Sequence, residues 1–246
     1  MTRPTRRTLL SASATAALAV PVTSGKAATI AGVLPWAPNA VTPPEAVTPG
    51  GWRYFTPEEA EAIDAIVARL IPADDLGPGA KEAGCTVFID RQLAGPYGGH
   101  DTLYMEGPFP ADPLPQQGVQ SQVTPRQHYR AGLAALAAYC KATFAGKGFA
   151  ALDTEAQDKL LAGLESNAVK LPGADGRAFF AAVLGNTMEG FFADPVHGGN
   201  RDLAGWKLIG FPGARYDYRD VIAKPNQAYA LPPVGLQGRP DWRNKP

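Results

Sequence analysis

Cysteine is scarce in this chain: Cys85 and Cys140 are the only two among 246 residues. Two thiols cannot build a disulfide framework or a four-cysteine metal site. Histidine is almost as rare, and His100, His128 and His197 stand too far apart to share the helical spacing of a metal-ligand pair. Neither charge is in excess, with 23 basic and 23 acidic residues. Composition therefore implies no basic face, and nucleic acid is not an expected partner. Beyond the first 27 residues no run is apolar enough to span a bilayer. The cofactor and nucleophile signatures G-x-G-x-x-G, G-x-x-x-x-G-K-[ST], G-x-S-x-G and C-x-x-C-H are all missing. The chain thus lacks the usual sequence marks for binding a dinucleotide, a nucleoside triphosphate or covalent haem. Its adjacent acids, Glu58-Glu59 and Asp74-Asp75, fall at a helix start and in a turn. Helix dipole and solvation account for them there, and the Asp74 region lacks the alternating oxygen ligands of a calcium loop.

Proline and glycine are plentiful, at 24 and 27 residues, and they cluster in ways that divide the chain. Residues 1–27 read as an export signal. Arg6-Arg7 precedes an Ala- and Ser-containing apolar run from Leu9 to Val22, then Lys26, and Gly25-Lys26-Ala27 forms a small-x-small cleavage site. That run is the length of a signal core and too short for a spanning helix. Twin arginines with a basic residue after a weakly apolar core suit the twin-arginine translocase, which moves folded cargo. Cleavage after Ala27 would leave 19 basic and 23 acidic residues, a net charge of −4. Residues 28–52 are a Pro-rich linker or arm, in which Trp36 and Trp52 are candidate anchors. Residues 223–246 are a second Pro-rich arm, without a core pattern.

Between the arms, residues 53–222 carry helical periodicity and no alternating β-branched runs. The expected fold is all-α, a small bundle of about five helices with long ordered loops. Thr56, Pro57 and Glu59 mark the first helix, with Ile63, Ile66, Val67, Leu70 and Ile71 on one face. A second is expected over about 80–93 and a third from Thr124-Pro125, with Gln127 completing its capping box. The fourth starts at Asp153 or Thr154. The fifth, about 176–192, is apolar round most of its circumference, as a helix buried in a bundle or against another protein would be. Residues 96–123 form a long insert without periodicity, and its Tyr104 and Phe109 are candidate contacts for a partner.

Residues 186–218 stand out. Met188, Phe191, Phe192, Trp206, Phe211, Tyr216 and Tyr218 are interleaved with Gly190, Gly198, Gly199, Gly205, Gly210 and Gly213. Glycine permits close backbone approach, and aromatics with arginine supply contact area. Arg201, Trp206, Phe211, Arg215 and Tyr216 are therefore candidate interface residues. Three states are open to Cys85 and Cys140: a disulfide with each other, pairing across an interface, or buried thiols.

The chain resembles the gluconate 2-dehydrogenase subunit 3 family. The resemblance is carried by FTPEEAEAIDAIVARLIPADDLGPGAKEAG (55–84), FIDRQLAGPYG (88–98), YMEGPF (104–109), TPRQHYRAGLAAL (124–136) and NTMEGFFADPVHGGNRDLAGWKLIGFPGARYDYRD (186–220). It implies a periplasmic complex, held at the membrane by its other subunits. A large subunit of the glucose–methanol–choline type would carry FAD and oxidise a sugar acid or polyol, and a cytochrome c subunit with haem c would pass electrons onward. This chain would be the small subunit, holding no cofactor or metal and no catalytic residue of its own, and would support folding, stability and twin-arginine export of the large one. Two other readings stand beside it. One is an independent enzyme using His197 or His100 with nearby Asp or Arg, where Gly198-Gly199-Asn200-Arg201 would bind an anion through backbone N–H groups. The other is a binding module whose aromatic insert closes on a small ligand.

Overall fold

The computed structural model describes residues 47, 50–110, 112–118, 120–215, 218–219, 221–229 and 231–238. The signal at 1–27, Trp36 and Tyr216 lie outside the described residues.

Among the described residues the chain is helical and forms no strand. The helices are α1 (Pro57–Leu70), α2 (Cys85–Ala94), α3 (Pro96–Gly99), α4 (Pro125–Thr143), α5 (Thr154–Glu165), α6 (Gly176–Phe192) and α7 (Ala204–Ile209). None is long and apolar enough to cross a membrane. The caps read from the sequence are formed. Thr56 and Glu59 make a reciprocal capping box on α1, and Thr124 and Gln127 do the same on α4. Asp153 caps α5 and Asp175 caps α6.

The second helix differs from expectation. It begins at Cys85, not near residue 80, because Gly84 takes a left-handed conformation at φ 80°. The Ala83 carbonyl then accepts from the Arg201 N–H at 2.9 Å, instead of from the next helical turn. The one-turn α3 and the six-residue α7 have too few residues to show a period.

Helix α6 is the centre of the bundle and packs against α2, α5, α1, α4 and α7. Its Phe179, Val183, Thr187 and Phe191 are almost completely buried. Phe179 meets Tyr129 of α4 edge-on, with ring centroids 5.9 Å apart. Gly132 of α4 gives that ring its space, since a Cβ there would lie 2.2 Å from the Phe179 ring. The C-terminal end of α2 is tied by one side chain: Arg126 donates to the carbonyls of Leu93, Ala94 and Gly95, groups that the helix end leaves without an internal partner.

A strap from Gly50 to Phe55 lies over α2. Its anchor is Asp90, which is fully buried and accepts the N–H groups of Arg53, Tyr54 and Phe55 at 2.9–3.2 Å. Arg91 pairs with Asp90 and donates to the carbonyls of Gly50 and Gly51 at 2.8 and 3.1 Å. Three successive backbone N–H groups thus form an anion seat filled by the chain's own carboxylate. Separately, the Val47 N–H bonds the Val196 carbonyl. The C-terminal arm also returns to the domain. Val234 is buried, and its carbonyl accepts from the Ala214 N–H while its N–H donates to Pro212. Backbone pairing of this kind has no hydropathy pattern, so the sequence does not reveal it.

Candidate functional site

Residues 193–211 fold back onto the C-terminal end of α6. A helix end leaves its last carbonyls without partners. Here Trp206 Nε1 donates to the Phe192 carbonyl at 2.7 Å, and Asn200 Nδ2 donates to that of Ala193 at 2.8 Å. Asn200 is fully buried, and its Oδ1 accepts the Gly205 N–H at 2.8 Å. Close approach explains two of the glycines: a Cβ at Gly199 would sit 2.2 Å from the Gly190 carbonyl oxygen, and one at Gly205 would sit 2.1 Å from that of Phe191. Asn200, Asp202 and Leu203 all have positive φ, at 45°, 56° and 59°. For Leu203 that conformation is strained and is held by the surrounding packing.

Beside this fold-back, an open groove of about 450 Å³ runs between α2 and α6. Phe88 and Gln92 come from α2, Glu189 and Phe192 from α6, and Ala193 and His197 from the turn after it. The two helices approach closely because Gly190 faces the Phe88 ring, where a Cβ would meet Phe88 Cδ1 at 2.9 Å. Behind the groove lies a polar chain inside the bundle. Tyr129 hydroxyl lies 2.7 Å from Asn186 Oδ1 and 3.2 Å from the Ala182 carbonyl. Asn186 Nδ2 donates to Glu189 Oε2 at 2.9 Å, and Tyr97 hydroxyl lies 3.3 Å from the same amide. Asn186 is buried, Tyr97 is partly exposed and Glu189 reaches the surface. Burial pushes both tyrosine hydroxyls above their ordinary pKa, Tyr129 far above it. They remain neutral hydrogen-bonding groups that fix the Asn186 amide, and through it the Glu189 carboxylate.

The structure sorts the residues singled out in the sequence. Trp206, expected as a docking anchor, is 6% exposed and serves the interior through its bond to Phe192, so little of its ring is open to a partner. Phe211 stacks edge-on to Trp206 at 5.0 Å and is 43% exposed, next to the exposed Leu208 and Ile209. Arg215 is turned inward: it donates to the Pro232 carbonyl and lies over the Tyr229 ring, 5.0 Å from its centroid. Arg201 and His197 are exposed, with the Arg201 guanidinium beside Gly84. The anion loop is only partly open, since the Gly198 N–H is bonded to Pro195 and that of Arg201 to Ala83. In the insert Tyr104 is exposed and Phe109 half-buried against Gly107. His100 is buried with Nδ1 unpartnered, and no bond joins it to Asp101.

Cys85 and Cys140 are free and fully buried, so the possible disulfide between them is not formed. Each packs in the core cluster, and burial pushes their thiols up to about 12 and about 11. Among the described residues no group of three His, Cys, Asp or Glu is placed to hold a metal ion.

Asn186 and Glu189 were not singled out by motif reading. Their signal is polarity: they are polar positions in the one helix that is otherwise apolar on nearly every side. A family model described as gluconate 2-dehydrogenase subunit 3 matches residues 57–213, nearly two thirds of the chain. No curated protein and no solved structure matches.

Proposed function

The chain belongs to the gluconate 2-dehydrogenase subunit 3 family, and from that premise we propose that it is the non-catalytic small subunit of an FAD-dependent sugar-acid or polyol dehydrogenase complex. The family's name makes it a subunit of a multi-subunit dehydrogenase. In the finer reading, the partner is a large flavoprotein of the glucose–methanol–choline type, joined by a cytochrome c subunit that carries haem c. The small subunit folds with the flavoprotein in the cytoplasm, stabilises it, and carries it through the twin-arginine translocase to the periplasm on its own signal at residues 1–27. The substrate is chosen by the flavoprotein.

The observation that carries this reading is the family match across 57–213, which takes in both the helical bundle and its glycine-rich fold-back. Two features agree with it. The buried polar groups around α6 are occupied in holding structure: Asp90 secures the strap, and Asn186 and Asn200 tie α6 to its neighbours. Read as a twin-arginine signal, the Arg6-Arg7 leader suits a subunit that travels folded with cofactor-loaded cargo. Deleting this chain while keeping the flavoprotein gene tests the reading. The expected result is flavoprotein retained in the cytoplasm, with periplasmic substrate-dependent dye reduction lost. Normal export and activity of the flavoprotein without it would overturn the proposal.

A further inference from the structure

We infer that the α2–α6 groove seats an arginine side chain of the flavoprotein subunit, its stem lying on Phe192 and its guanidinium paired with Glu189. This rests on the subunit reading above and specifies which surface makes the contact.

Charge complementarity is the first ground. Glu189 places its carboxylate at the edge of an aromatic groove, and among the described residues no lysine or arginine lies within ion-pair distance of it. The second ground is orientation. One oxygen of Glu189 accepts from Asn186, whose amide is set by Tyr129 and Tyr97 from inside the bundle. The carboxylate is therefore aimed before any partner arrives, which lowers the ordering cost of a charged contact. Its other oxygen is left for an external donor.

The walls favour guanidinium over a compact ammonium. Arginine is flat, weakly hydrated and stacks on aromatic rings, whereas lysine is strongly hydrated. Phe192, half-buried, supplies the open ring above the buried Phe88, and the Gln92 amide and the His197 imidazole stand at the rim. The groove is continuous with a bare face of α6, where Ala181, Gly185 and Met188 are exposed and carry no charge. An apolar face of this kind lets a partner's backbone come close enough to deliver a side chain into the groove.

The test uses full-length chain co-expressed with its flavoprotein. Wild type, Glu189→Gln, Glu189→Arg and, as a remote control on α5, Glu155→Arg are compared by affinity of the purified subunits over a salt series. Expected is a loss of roughly tenfold or more for Glu189→Arg, a smaller loss for Glu189→Gln with a flatter salt dependence, and no change for Glu155→Arg. Melting temperatures of the isolated variants should match wild type, because Glu189 is exposed. A photo-crosslinking residue at Gln92 gives a readout independent of folding of the charge variants. Its product should be a flavoprotein peptide containing arginine. Wild-type complex with undiminished affinity of Glu189→Arg, or crosslinks only to a second copy of this chain or to its own residues, would overturn the groove assignment while leaving the subunit reading intact. Absence of any wild-type complex would overturn both.

Discussion

At the scale of single residues, the weight falls on a few buried polar groups, each holding two parts of the backbone together. Asp90 is the clearest. Its carboxylate is wholly shielded from water, yet it receives three backbone N–H groups and the Arg91 guanidinium. Replacing it removes the charge while the N–H groups and Arg91 stay buried. Breaking a buried, hydrogen-bonded ion pair costs about 3–5 kcal/mol. Asp90→Asn should therefore lower the urea-unfolding free energy by about 3 kcal/mol or more and speed proteolysis near residues 50–55. A loss under about 1 kcal/mol would show that the strap needs no charge. Sequence reading passed over Asp90 because an isolated acid in the middle of a helix looks like a solvated position. Only the return of the strap over α2 gives it three donors.

At the scale of elements, α6 and the segment after it behave as one unit. The fold-back of 193–211 ends the helix with Asn200 and Trp206 in place of further turns, and it needs backbone at Gly199 and Gly205 pressed onto backbone of α6. Gly199→Ala tests that. Its Cβ would enter within 2.2 Å of a carbonyl oxygen, which cannot rotate away as a side chain would. The expected outcome is a loss of about 1–3 kcal/mol in unfolding free energy, whereas Gly185→Ala, with open space around it, should be neutral or slightly stabilising because alanine favours helix. Equal effects at the two positions would refute the close-approach account. The caps of α1 and α4 and the extent of α6 were legible in advance, because capping boxes and apolar periodicity are local signals. The late start of α2 was not, since it depends on Ala83 bonding Arg201, more than a hundred residues away in the chain.

At the scale of the whole molecule, stability at alkaline pH depends on groups that burial holds neutral beyond their ordinary range. The Cys85 thiol rises from 9.0 to about 12 and that of Cys140 to about 11, both through burial, and the Tyr129 hydroxyl moves well above 10.0. Each folded-state pKa is raised, so below the unfolded values both states hold the proton and pH has no effect through these groups. Above about pH 9 the unfolded chain ionises first, and the folded state loses stability as pH climbs toward the folded values. The melting temperature should be level from about pH 7 to 8.5 and fall steadily above pH 9. Cys85→Ser with Cys140→Ser should reduce that slope, and a fall that starts only beyond pH 11 in the parent would contradict the thiol contribution. The same burial keeps the thiols from alkylation in the native protein.

The sequence by itself determined the helical class, the caps, the extent of α6 and the family, because each follows from local spacing or from residue identity along a long segment. Tertiary structure decided the rest. It put Trp206 inside, against the Phe192 carbonyl, and turned Arg215 toward the C-terminal arm. It left the two cysteines as separate buried thiols, and it joined Tyr129, Asn186 and Glu189 into one polar chain behind the groove. Hydropathy and spacing describe what a residue prefers. Which carbonyl lacks a partner, and which side chain arrives to meet it, depends on how distant segments pack.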